Sequence, residues 1–324
     1  MNEVKEIGGY FNLELQQGQG FHLNALSFNS CRNCLEFVLS CRQIKKIFLP
    51  LYTCDVIYEP ALKLGIDHEF YQIDENLEPL VLPNLNEDEL FLYTNYFGLK
   101  QDCVERLYNV YGDHLVVDNA QAFFAPNLQN VDTYYAARKF FGVADGAYLY
   151  FSSTNVDKDA INVFPRAVSY DRMSHLLKRY DLGANGGYRD FQKNDYIFAG
   201  LPIQRMSHLT EAILCSVDYK RVKDVRRRNY EYLDSYLSSV NEFHFQFDKD
   251  TVPMVYPLLV ENASYYRDRL LSKKIYVAKY WPDVNKKCLS NSIECKVVNN
   301  LLPLPIDQRY GIEEMQSVIN CIVS

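Results

Sequence analysis

Residues 89–118 read ELFLYTNYFGLKQDCVERLYNVYGDHLVVD, and the fold class can be read from this stretch. The run ELFLYT at 89–94 is a short apolar segment rich in strand-forming residues. Gln101–Tyr111 is helix-like, and HLVVD at 114–118 is again a strand. Strand, helix and strand in this order make one crossover unit of a parallel sheet. The same alternation extends upstream. KKIFLPL at 45–51 reads as a buried strand. Residues 54–64 follow at helical spacing, with Val56, Ile57, Ala61 and Leu64 apolar, and HEFYQI at 68–73 is a further strand. The alternation predicts an α/β fold with a largely parallel sheet covered on both faces. In such sheets ligands sit beyond the carboxyl ends of the strands. Asp118, directly after Leu115, Val116 and Val117, is therefore a site candidate on position alone.

Downstream, AYLYF at 147–151 reads as another strand after the Asp145–Gly146 turn, and a long helical region is expected between 202 and 237. Residues 253–260, 263–272 and 275–279 read as strand, helix and strand. Residues 311–323 read as a closing helix after a proline-bearing approach, Pro303 and Pro305. This predicts a large domain over 1–240, with an N-terminal segment and a long connecting helix, and a smaller α/β domain over 241–324. The formal charge of −7 and the absence of a dense Lys/Arg stripe argue against nucleic acid as a partner. No apolar stretch is long enough to span a bilayer, and residues 1–20 are polar and glycine-bearing, unlike a signal peptide. The cysteine count is nine, an odd number scattered through apparent helices and strands. That fits a reduced cytoplasmic interior better than a disulfide framework. Cys31 and Cys34 form a C-x-x-C without a second pair, so no metal site is expected. His208 reads as a helix-face residue.

Three segments in order resemble the sugar-nucleotide aminotransferases of the DegT/StrS type, which are fold-type I enzymes dependent on pyridoxal 5′-phosphate (PLP). They are Asn29-Ser30-Cys31-Arg32-Asn33-Cys34-Leu35 leading into a helix, Val116-Val117-Asp118-Asn119-Ala120-Gln121-Ala122, and the stretch Ala137-Arg138-Lys139-Phe140-Phe141-Gly142-Val143-Ala144-Asp145-Gly146-Ala147. Weaker echoes are Gly8-Gly9-Tyr10-Phe11, Pro50-Leu51-Tyr52-Thr53, Arg205-Met206 and Leu304-Pro305-Ile306, so the resemblance spans nearly the whole chain. It implies that Lys139 carries the cofactor and moves the substrate proton. It implies that Asp118 pairs with the pyridine nitrogen and keeps it protonated, and that Gln121 meets the ring hydroxyl. Ser30, Cys31, Arg32 and Asn33, at a helix start, would hold the phosphate, with Tyr52 and Thr53 as further cofactor contacts.

Three positions depart from the family pattern. Tyr134 stands where a serine contacts the phosphate, and Cys54 stands where an aromatic residue stacks on the cofactor, leaving Tyr52 as the candidate replacement. Ile203 stands where an asparagine reaches a partner subunit's phosphate site, leaving Asn185 and Asn194 as candidates. The resemblance implies a homodimer with active sites at its subunit interface. It would transfer an amino group, from glutamate as donor, to a keto group of a nucleotide-linked deoxysugar used in surface polysaccharides or glycosylated metabolites. Two alternatives stay open. One is a sugar dehydratase on the same scaffold, against which Lys139 counts, because family dehydratases typically carry histidine there. The other is a non-catalytic or regulatory paralogue, which the three departures keep open.

Overall fold

A computed structural model describes residues 7–152 and 158–323, so residues 1–6 of the polar N-terminal stretch lie outside it. The strands are β1 (Leu26–Phe28), β2 (Lys46–Pro50), β3 (Asp67–Tyr71), β4 (Glu89–Thr94), β5 (Leu115–Asn119), β6 (Asp132–Ala136), β7 (Ala147–Tyr150), β8 (Val255–Leu259) and β9 (Leu301–Pro305). The helices are α1 (Cys31–Arg42), α2 (Glu59–Leu64), α3 (Gln101–Tyr111), α4 (Ser174–Ile197), α5 (His208–Cys215), α6 (Tyr219–Leu237), α7 (Ala263–Ser272), α8 (Ile293–Asn300) and α9 (Ile312–Val323). Seven strands form one sheet in the order β1-β7-β6-β5-β4-β2-β3, and β8 and β9 form a second. The pairs β3–β2, β2–β4, β4–β5 and β5–β6 are parallel, and β7 is antiparallel to both of its neighbours. The predicted largely parallel α/β sheet is what forms.

Burial on both faces explains the near-continuous apolar strands. In β5, Leu115 and Val117 enter one apolar cluster while Val116 enters the other, as alternating side chains must. The chain turns from β2 outward to β3 and then back across to β4 and β5. This reversal opens the crevice in which doubly wound sheets bind ligands.

Several expectations need correction. β1 and β6 were not foreseen. β1 is only three residues long, and β6 (DTYYA) begins with polar residues, although every residue of β6 is buried. Asp132, fully buried at the start of β6, is held by Arg42 at 2.7 Å and by the Ser152 N–H at 2.7 Å. The helical region expected from 202 starts later, because Ser207 caps α5. Its hydroxyl accepts from the Thr210 N–H, and its own N–H donates to the buried Asp145 carboxylate at 2.9 Å. Helix is interrupted again before α6, where Asp218 is the cap. The strand expected at 275–279 is not one. Arg267 donates to the carbonyls of Val277 and Ala278 at 2.9 and 2.8 Å, so a guanidinium satisfies backbone acceptors that a neighbouring strand would otherwise take. The partner of β8 is instead β9, which tolerates Pro303 and Pro305 because it is an edge strand. Of the nine cysteines, Cys288 and Cys295 form a disulfide and the other seven are free, so there is one bond but no framework. Among the described residues, no helix is long and apolar enough to cross a membrane.

Candidate active site

Four adjacent parallel strands, β2, β4, β5 and β6, send their carboxyl ends to one cavity. It is lined by Thr53 and Cys54 after β2, Thr94 at the end of β4, Asp118, Ala120 and Gln121 from β5 onward, and Ala136, Arg138 and Lys139 where β6 ends. The start of α1 closes another side with Ser30, Cys31 and Arg32, and Trp281 reaches in from near the second sheet.

Asp118 is buried, and one of its carboxylate oxygens accepts from the Ala120 N–H at 2.8 Å. Burial pushes its carboxyl above the usual carboxylate range, while Lys139, the Ala120 N–H and the Tyr134 and Thr94 hydroxyls pull it back down. The site therefore holds a carboxylate whose charge is incompletely compensated, and a cationic N–H would complete it. Lys139 follows β6 in a short 3₁₀ turn, Ala137–Lys139, and is exposed on the cavity. Gln121 is buried, and its side-chain oxygen accepts from the Phe97 N–H at 2.8 Å. Its amide NH₂ is what remains to offer a ligand. Gly98 makes this approach possible. Its φ is +75°, and a Cβ there would lie 3.3 Å from the Gln121 carbonyl oxygen. The turn after Lys139 is pinned from the far side of the molecule, where Gln308 donates to the Phe140 carbonyl at 2.8 Å and the Arg226 guanidinium lies 4.6 Å from the Phe140 ring centre.

At the α1 side, Ser30 is the N-cap and accepts from the Asn33 N–H at 3.3 Å. The N–H groups of Cys31 and Arg32 open the helix and have no intrahelical carbonyl, as at any helix start. Arg32 lines the cavity but is paired with Glu59 of α2 at 2.8 Å. Burial raises the Cys31 and Cys54 thiols.

Not every predicted residue is placed here. Asn33 lies outside the cavity, its side chain bonded to the Pro202 carbonyl and the Gln204 N–H, where it ties down the chain before α5. Cys34 is buried in an apolar cluster. Tyr52 is fully buried behind the wall, with its ring 4.7 Å from Trp281, and does not line the cavity. Tyr134 does line it, opposite Asp118 in the β5–β6 register. Arg205 bonds to Asn162 and to the Phe164 carbonyl rather than facing the cavity. Asn194 is buried and donates to the Ala144 carbonyl of its own chain at 2.8 Å, whereas Asn185 is exposed. Ile203 packs against the second apolar cluster. Sequence reasoning missed Arg138 and Trp281. The first lies inside the Lys139 segment without a role of its own there, and the second is the only tryptophan in the chain but stands in no motif.

No protein-family model matches the chain, and no curated relative matches it in sequence. Solved structures do match in shape. The sugar aminotransferase CalS13 from Micromonospora echinospora superposes with a TM-score of 0.63 at 14% identity, covering 92% of this chain and 86% of its own. A DegT DnrJ EryC1 StrS aminotransferase from Brucella abortus gives 0.59 at 13% identity, with 92% and 85% covered. Spr1654 from Streptococcus pneumoniae, in its PLP form, gives 0.62 at 14% identity, with 91% and 85% covered. The chain shares their fold. At these identities the likeness is one of architecture, and chemistry must be argued from the side chains.

Proposed function

We propose that the chain is a PLP-dependent aminotransferase acting on a nucleotide-linked keto-sugar, with glutamate as amino donor. One observation carries the reading: the exposed Lys139 amine and the buried, under-compensated Asp118 carboxylate line the same cavity at the carboxyl ends of parallel strands. The donor set suits PLP at each end. Asp118 would hold the proton on the pyridine nitrogen, the Gln121 NH₂ would donate to the ring hydroxyl, and the first N–H groups of α1 would bind the phosphate. When bound, the cofactor would supply an aldehyde to carry the amino group and a conjugated ring to take up the electron pair left when the substrate C–H proton departs. Lys139 Nζ would anchor it and, once the donor's amine had displaced it from the cofactor carbon, would take that proton and return it.

A homodimer belongs to the same proposal. Tyr180, Tyr188, Tyr196, Leu177 and Leu182 of α4 are exposed, and so are Tyr10 and Phe11 near the N-terminus. An apolar surface of this kind favours a covering partner. The cytoplasmic placement and a domain division near residue 240 are also proposals, the latter supported by the separate sheets on its two sides.

The direct test is spectroscopic. Glutamate added to the PLP-loaded protein should abolish the cofactor's near-visible absorbance and yield 2-oxoglutarate, and a keto-sugar nucleotide should restore the band. A second reading, a non-catalytic paralogue, is favoured by Tyr134, whose ring takes up room in the cavity. An absorbance unmoved by glutamate, glutamine and alanine would select it.

A further inference from the structure

Resting on the cofactor reading above, we infer that Trp281 is the stacking wall for the pyridine ring. A planar conjugated ring binds best against a flat, polarisable apolar face. Among the described residues, two aromatic side chains line the cavity, Tyr134 and Trp281. Tyr134 stands beside Asp118 on the neighbouring strand and belongs to the apolar cluster under the sheet, and Cys54, beside the strand end, contributes only a thiol. The indole of Trp281 is the remaining flat surface.

Its surroundings hold it there. Trp281 sits at φ 49° and ψ 56°, a left-handed conformation that strains a bulky residue. Such strain persists where the neighbouring structure imposes it. The ring is set edge-on to the fully buried Tyr52, with centroids 4.7 Å apart, and lies nearly parallel to Tyr280 at 5.7 Å. The Tyr96 hydroxyl donates to the Tyr52 carbonyl at 2.8 Å and steadies that support. A second tether acts just beyond it. Lys287 pairs with Asp55 at 2.7 Å and lies 4.7 Å from the Tyr58 ring centre. This fastens the Pro282–Lys286 turn to the residues that follow Cys54. A segment more than 200 residues distant in sequence is thereby fixed as one wall of the cavity.

Because the chain has one tryptophan, its indole emission belongs to Trp281. The probe is pyridoxine 5′-phosphate, which lacks the aldehyde and so reports non-covalent contacts alone. Binding should shield the wild-type emission from acrylamide, a readout that needs no variant. By equilibrium dialysis, Trp281→Phe should bind the probe within about threefold of wild type, and Trp281→Leu about three- to tenfold more weakly. Equal affinity in Trp281→Leu, or unchanged acrylamide access in the wild type, would overturn the inference. If Lys139 were still labelled by PLP and borohydride in that case, the cofactor reading would stand without it. If wild type bound neither the probe nor PLP, both would fall.

Discussion

The wall formed by Asp118, Gln121 and Lys139 and the wall formed by Ser30, Arg32 and Cys54 differ in how far their side chains are already committed. On the first wall, backbone contacts fix the groups while their reactive ends stay available. The Ala120 N–H holds Asp118, the Phe97 N–H holds the Gln121 oxygen, and Phe140 is pinned just beyond Lys139. On the second wall, the Ser30 hydroxyl is used in a helix cap, Arg32 is paired with Glu59, and burial keeps the Cys54 thiol protonated. On the proposed reading, the groups for proton transfer and ring protonation would thus be prearranged, while grip on the phosphate would rest mainly on backbone N–H groups. Substitutions on the first wall should cost turnover, and those on the second should cost cofactor retention and stability.

The largest expected effect is Lys139→Ala, which should abolish transamination while leaving the unfolding transition of the cofactor-free protein intact, as checked by circular dichroism. Residual turnover would break the asymmetry. Asp118→Asn comes next, with turnover falling about a hundredfold or more because the amide cannot keep the ring nitrogen protonated.

The same variant tests the stability side. Asp118 is held above the ordinary carboxylate value, so the folded chain binds this proton more tightly than the unfolded chain does. Stability of the cofactor-free protein should therefore fall as pH rises from the ordinary carboxylate range through the raised one. Asp118→Asn should remove that slope and raise stability at neutral pH. Thermal unfolding across pH would reveal it, and an identical slope in both proteins would show that Asp118 is adequately compensated.

On the second wall, Ser30→Ala should cost about 1 kcal/mol of stability through the lost cap. It should also weaken PLP retention, measured by dialysis, with turnover at saturating PLP nearly unchanged. A loss of turnover instead would place Ser30 with the first wall. On the first wall's own chemistry, a smaller effect than that of Asp118→Asn is expected for Tyr134→Phe. Losing one hydroxyl that favours the Asp118 anion should lower turnover only a few-fold and raise the carboxyl further, visible as a displaced pH profile.

Of the first wall, Asp118 was legible from its place after three apolar β residues, whereas Gln121 and Lys139 were legible only through the resemblance of their segments to the DegT/StrS-type aminotransferases. The parallel sheet was legible because strands buried on both faces are written as apolar runs. The second wall was legible only as a helix start. Nothing local in Arg32 tells that Glu59 will take its charge, and nothing in Asn33 tells that the Pro202 carbonyl and the Gln204 N–H will take its side-chain amide. Trp281 was hidden because its place depends on Tyr52, Tyr280 and the Lys287–Asp55 pair, contacts between distant segments. The false strand at 275–279 has the same origin, since its carbonyls find Arg267 rather than a neighbouring strand. α4 escaped because Gly183, at φ +75°, kinks it and its apolar residues face outward.

The most direct test of the central claim is chemical. The protein is loaded with PLP, reduced with borohydride, digested and mapped by mass spectrometry. The account predicts one modified lysine, Lys139, and no modification in Lys139→Ala. A label on any other lysine, or no label on a protein shown to be folded, would contradict it.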